Sequence, residues 1–130
     1  MTQEEIFRSI PRLNHFTPKA LVLLAGPCVV EGRDITLRTA ETLVKIADAL
    51  AFPLVFKSSY RKANRSRLDS FTGLGDEEAL RILEEVKTSL GVPIVTDVHD
   101  ACEVRAAAEV ADILQIPAFL CRQTELLQAA

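Results

Sequence analysis

Long apolar runs are missing from this chain. No stretch approaches the roughly 20 residues that span a bilayer, and the opening Met1-Thr2-Gln3-Glu4-Glu5 is acidic where a secretory leader would be basic. Cysteine is scarce as well: Cys28, Cys102 and Cys121 stand far apart with no Cys-x-x-Cys, an odd number that suits neither a disulfide framework nor a zinc ribbon. A reducing cytoplasm is the expected setting. Positive charge is not in excess, and a net charge of -3 argues against nucleic acid or a membrane surface as partner. The first apolar run is not followed by Gly-x-Gly-x-x-Gly, which counts against a dinucleotide-binding sheet.

What the chain does have is a core. Among its 130 residues 48% are hydrophobic, with both signs of charge interspersed, the composition of one globular unit. Residues 1–19 read as a lead-in with a helical turn near Glu4 to Ser9, and Pro11 and Pro18 exclude a long helix there. Ala20-Leu21-Val22-Leu23-Leu24-Ala25 is a continuous apolar run of the kind buried on both faces of a parallel sheet, and it ends in Gly26-Pro27-Cys28. Asp34 is expected to cap a helix whose stripe is Leu37, Ala40, Val44, Ala47 and Ala51. A second strand runs from Leu54 to Lys57. Asp76, Glu77 and Glu78 suit the positive end of a further helix, with Ala79, Ile82, Leu83, Val86 and Leu90 on its buried face and Gly91 and Pro93 at its stop. Pro93 to Asp97 is the third strand. Asp100 and Glu103 have the spacing of a capping box, and Val104, Ala107, Ala108 and Ala111 are expected to face the sheet. Ile113 to Ile116 forms the fourth strand, and a last helix begins near Thr124.

This alternation predicts an α/β fold with a parallel sheet and helices on its outside. A (β/α)8 barrel takes about 250 residues, so residues 20–130 are expected to be the N-terminal half of such a barrel, truncated about one turn into the last helix.

The segment from Phe56 to Arg67 places five cationic side chains and four hydroxyls in twelve residues, directly after a buried strand. Forked and single-point donors of this kind suit a small, multiply anionic ligand. A solvated basic loop has the same composition. Polar groups also follow each strand: Cys28, then Lys57 and Ser59, then Asp97 and His99, then Gln115. In barrels the active site lies at this C-terminal face, where the connecting loops converge. Each group has a second reading. Cys28 is either a small buried hydrophobe or a thiolate suited to zinc or ferrous iron. His99 is a capping or core histidine, or a metal ligand; Asp97 either serves a turn or faces the site. Gln115 in an apolar strand is a buried amide that needs partners, and a ligand carboxylate is one candidate.

Lys57-Ser58-Ser59-Tyr60-Arg61-Lys62-Ala63-Asn64-Arg65-Ser66, Thr96-Asp97-Val98-His99, and the run from Leu114 to Thr124 closely resemble the 3-deoxy-manno-octulosonate 8-phosphate synthase family. The resemblance covers the chain from about residue 20 onward. The related heptulosonate-phosphate synthases, which use erythrose 4-phosphate, share the Gly-Pro-Cys segment but carry a Lys-Pro-Arg-Thr-type motif in place of Lys62-Ala63-Asn64-Arg65-Ser66.

The resemblance implies a (β/α)8 barrel enzyme that condenses phosphoenolpyruvate with arabinose 5-phosphate and water, releasing phosphate, on the route to lipopolysaccharide. It implies that Lys57, Lys62 and Gln115 meet the phosphoenolpyruvate carboxylate and reacting centre, with Ser59 and Ala118 near its phosphate. Asn64, Arg65 and Ser66 would hold the sugar phosphate, with Arg122, Gln123 and Thr124 reaching it from a neighbouring subunit of a homotetramer. Pro117 and Phe119 flank Ala118 in the binding set, and Lys57, Lys62, Asn64 and Asp97 form the catalytic set. Cys28 places the chain with the metal-dependent members, as one ligand of a divalent metal (Zn, Fe, Mn or Co). The other ligands come from the barrel's second half, so residues 1–130 alone are expected to be inactive. Cys102 and Cys121 carry no implied role and are expected to be small packing residues.

Overall fold

A computed structural model describes residues 2–62 and 73–130. After a short helix α1 (Gln3–Ser9), four strand and helix units follow in order: β1 (Leu23–Ala25), α2 (Arg33–Leu50), β2 (Leu54–Lys57), α3 (Asp76–Leu90), β3 (Ile94–Asp97), α4 (Val104–Val110), β4 (Ile113–Gln115) and α5 (Thr124–Ala129), with a 3-10 turn at Ala118–Leu120. The strands form one sheet in the order β1-β2-β3-β4, every pairing parallel. The expected α/β architecture is the one observed.

The core lies between the sheet and its helices. Leu54, Phe56, Ile94 and Val98 pack there against Ala40 and Ala47 of α2, Ala79, Ile82, Leu83 and Val86 of α3, and Val104 and Ala107 of α4. The alanines facing the sheet let the helix backbones lie close to it. α3 ends at Gly91, whose φ of 62° is the left-handed conformation that closes a helix without a Cβ penalty. α2 ends in the same conformation at Ala51, with a φ of 53°.

Several local expectations are corrected. β1 starts at Leu23, not Ala20, and it is not buried on both faces: Leu21, Leu23 and Leu24 are 74%, 38% and 50% exposed. β1 is an edge of the described sheet, paired with β2 alone, so its second side is uncovered. Asp34 lies within the first turn of α2, and the N-cap is Gly32, which has no side chain to bond with. The Asp100 and Glu103 capping box does not form: Asp100 Oδ1 accepts from the Cys102 amide at 3.0 Å, and Glu103 is committed elsewhere. Ala108 is exposed and Val110 takes its place on the buried side of α4; Ala51 is an exposed cap. A genuine capping box sits at the start of α1, where Thr2 Oγ1 accepts from the Glu5 amide at 3.3 Å and Glu5 Oε2 accepts from the Thr2 amide at 2.6 Å.

Candidate active site

Parallel pairing brings the C-terminal ends of the four strands to one rim. Register places Lys57 beside Val95, and Asp97 directly beside Gln115. Successive strand residues face opposite sides, so Lys57 and Asp97 point away from the helices that cover Phe56 and Val98. Beyond β1 the chain pairs once more, Val29 with Ser59, and the Ser59 amide donates to the Cys28 carbonyl at 3.3 Å. Gly26 makes this approach possible: a Cβ there would lie 2.0 Å from the Lys57 carbonyl oxygen. Cys28, Lys57, Ser59, Asp97, His99 and Gln115 therefore gather at one end of the sheet.

Within this group Lys57 Nζ donates to Ser59 Oγ at 3.1 Å, and His99 Nε2 meets Asp97 Oδ2 at 2.9 Å. Burial alone would raise the Asp97 carboxyl. The hydrogen bond to His99 and the nearby Ser59 hydroxyl, with the charges of His99 and Lys57, outweigh burial and hold it below the ordinary carboxylate range. Asp97 Oδ1 and His99 Nδ1 are buried and have no hydrogen-bond partner among the described residues, although Glu103 Oε2 lies 3.8 Å from His99 Nδ1. An ionised carboxylate with one oxygen anchored and one free, beside an ammonium and a hydroxyl, can accept a proton or a ligand hydroxyl while the cation meets an anionic group.

Around this pair lies a network that the sequence reading missed. The Glu103 carboxylate, 16% exposed, accepts from Tyr60 Oη and from the Arg61 guanidinium, and from the His99 amide at 3.3 Å. Arg61 also reaches Asp76 Oδ2 at 3.0 Å. Burial would raise the Glu103 carboxyl, but the bonds from Tyr60 and Arg61 prevail and lower it; burial and the bond to Glu103 push the Tyr60 phenol well up. Tyr60 is buried, with its ring edge-on to His99 at 5.7 Å between centroids. Arg61 was one of five cations read as available to an anion; two carboxylates already hold it. Partners 42 and 43 residues apart leave no local signal to find.

The remaining expected residues are placed differently. Gln115 is exposed rather than buried, because β4 is the other edge of the described sheet. Pro117 is buried; Ala118, Phe119, Arg122, Gln123 and Thr124 are exposed on the 3-10 turn and the start of α5, with no described bond to Lys57 or Asp97. Lys62 is half-buried, directly after Arg61. Asn64, Arg65 and Ser66 lie outside the described residues. Cys28, Cys102 and Cys121 are all exposed, which excludes the buried-hydrophobe reading of Cys28 and the packing role for the other two. Among the described residues no three His, Cys, Asp or Glu side chains converge as a metal centre requires, so these residues alone do not fit a divalent ion. A hollow at the opposite end of the sheet, lined in part by His15, Asp48 and Phe52, contains none of the rim groups.

No helix is long and apolar enough to cross a membrane among the described residues. A "2-dehydro-3-deoxyphosphooctonate aldolase" of Synechococcus sp. is 58% identical over 110 residues, 85% of this chain and 39% of that relative. One of Trichlorobacter lovleyi is 56% identical over 112 residues (86% and 41%), and one of Magnetococcus marinus is 51% identical over all 130 (100% and 45%). The chain thus spans about two fifths of the length of the curated relatives it matches. The model of the "DAHP synthetase I family" matches residues 16–130. That match takes in all four parallel strands and the rim they build, and on it the chain belongs to the DAHP synthetase I family, with its strand and helix units forming part of a (β/α)8 barrel.

Proposed function

We propose that the chain provides part of the active site of a 3-deoxy-manno-octulosonate 8-phosphate synthase, condensing phosphoenolpyruvate with arabinose 5-phosphate and water and releasing phosphate. The observation that carries this reading is the Lys57, Ser59, Asp97 and His99 cluster, a cation and an anchored carboxylate side by side at the strand ends. The relatives named 2-dehydro-3-deoxyphosphooctonate aldolase support this enzyme over the heptulosonate-phosphate synthase, as does the Lys62-Ala63-Asn64-Arg65-Ser66 motif.

The nucleophile in such a condensation is the methylene carbon of the enol phosphate, and the electrophile is the sugar aldehyde. Both substrates are polyanions, so the first requirement is charge compensation in fixed positions. Lys57 neutralises the carboxylate, Ser59 and Ala118 lie toward the phosphate, and Lys62 serves the reacting centre. Gln115, exposed beside Asp97, is free to bond the carboxylate. Asp97 Oδ1 accepts a proton or a sugar hydroxyl, and His99 keeps its other oxygen in place. Asn64, Arg65 and Ser66 hold the sugar phosphate, joined by Arg122, Gln123 and Thr124 of a neighbouring subunit in a homotetramer. Cys28 would give a divalent metal one thiolate, a proposal that rests on the family resemblance. Residues 1–19 are the lead-in to the barrel, and the setting is cytoplasmic.

A single thiolate and a span of about two fifths of the relatives also support the reading that residues 1–130 are inactive alone. The test is phosphate release from phosphoenolpyruvate with arabinose 5-phosphate, erythrose 4-phosphate or no sugar, beside the intact mass of the polypeptide assayed. Release with arabinose 5-phosphate only, from a polypeptide near twice 14.3 kDa, supports the synthase. Release with erythrose 4-phosphate only would select the heptulosonate-phosphate enzyme. Turnover by a verified 14.3 kDa chain would overturn its proposed inactivity.

A further inference from the structure

Two separate segments build the centre of the rim, residues 57–62 at the end of β2 and 97–99 at the end of β3. One side chain bonds to both. Glu103 sits where α4 begins, in a position to cap its own helix, yet it makes no such bond. Its carboxylate turns instead to the sheet end, where Oε2 accepts from Tyr60 Oη and the His99 amide and Oε1 accepts from Arg61. A short carboxylate-accepting network that is mostly buried is costly to leave partly satisfied. Tyr60, 1% exposed, has no water to turn to if Glu103 withdraws. The two rim segments thus meet at one anion at the head of α4, and Arg61 ties them on to Asp76 at the head of α3.

We propose that Glu103 is a positioning residue for the site, an inference that rests on the function proposed above. Through Tyr60 and Arg61 it fixes the backbone that leads from Lys57 and Ser59 to Lys62. Through the His99 amide it fixes the imidazole that anchors Asp97. It touches no substrate; it sets the distance between the cation and the carboxylate that do.

The test compares Glu103→Gln, which keeps the shape and removes the charge, with Leu83→Ala, a substitution of a fully buried apolar residue of α3 that makes no hydrogen bond to the network. Phosphoenolpyruvate affinity is read by calorimetry and amide hydrogen exchange is read at Arg61 and His99, at temperatures equally far below each variant's unfolding midpoint. The expected result is a loss of affinity of about 10- to 100-fold in Glu103→Gln, with faster exchange at both amides, and neither change in Leu83→Ala. Equal losses in the two variants would mean that Glu103 is merely structural. If Glu103→Gln does not fold, Tyr60→Phe removes one donor and leaves the carboxylate, and is expected to weaken binding in the same direction; unchanged affinity and exchange in it overturn the proposal. If the unsubstituted polypeptide, taken at the length that releases phosphate with arabinose 5-phosphate, does not bind phosphoenolpyruvate, the functional reading fails by itself. The exchange rates then decide on Glu103, and unchanged protection at Arg61 and His99 overturns it.

Discussion

A single missing methyl group decides where β1 can lie. At Gly26 a Cβ would stand 2.0 Å from the Lys57 carbonyl oxygen, an atom of a rigid strand that cannot swing aside. Gly26→Ala is therefore expected to destabilise the protein by about 3 kcal/mol or prevent folding, measured by urea denaturation, and any folded remainder should show a displaced Lys57. The carboxylates at the rim make a different claim, about acid. The Glu103 and Asp97 carboxyls are both held below their ordinary values. Their contribution to stability is complete above the unfolded value of about 4 and is lost as pH falls through the lower, folded value. The unfolding midpoint should drop below pH 4, with a shallower pH dependence in Glu103→Gln; an identical slope would show that Glu103 is not one of the groups responsible. Lys57, Ser59 and Asp97 were legible in the sequence because each sits at the end of a recognisable strand. Glu103 was legible only as a cap, since its real partners are more than 40 residues away and local spacing carries no record of them.

Elements were easier to read than their boundaries. β2 and α3 match expectation because Pro53 and Gly91 punctuate them unmistakably. β1 is shorter than its apolar run, since hydrophobicity reports what a strand could bury and not what stands beside it. Ala51 is expected on the apolar stripe of α2 but is its left-handed cap, a backbone conformation with no sequence signature when the residue is not glycine. That strain is removable. Ala51→Gly should stabilise the protein by about 1 kcal/mol, seen as a rise in thermal midpoint without any change in ligand affinity. No gain would indicate that the entropy glycine adds to the unfolded chain offsets the relief.

At the scale of the whole molecule, apolar surface remains open at the sheet's edges. Leu21, Leu23, Leu24 and Phe119 are 74%, 38%, 50% and 57% exposed, and β1 and β4 each present one unpaired side within the described sheet. Such edges invite pairing with another strand. Residues 1–130 produced alone should self-associate at micromolar concentration, and Leu23→Lys with Leu24→Lys should shift sedimentation toward the monomer; a wild-type monomer at high concentration would contradict this. The strand order also bears on how the protein is made. Each described strand after the first lies beside the one synthesised just before it, so no pairing within the described sheet waits on a distant part of the chain. A nascent polypeptide can dock one unit after another as it clears the ribosomal tunnel, and translation speed, more than any long-range search, then sets the pace of assembly.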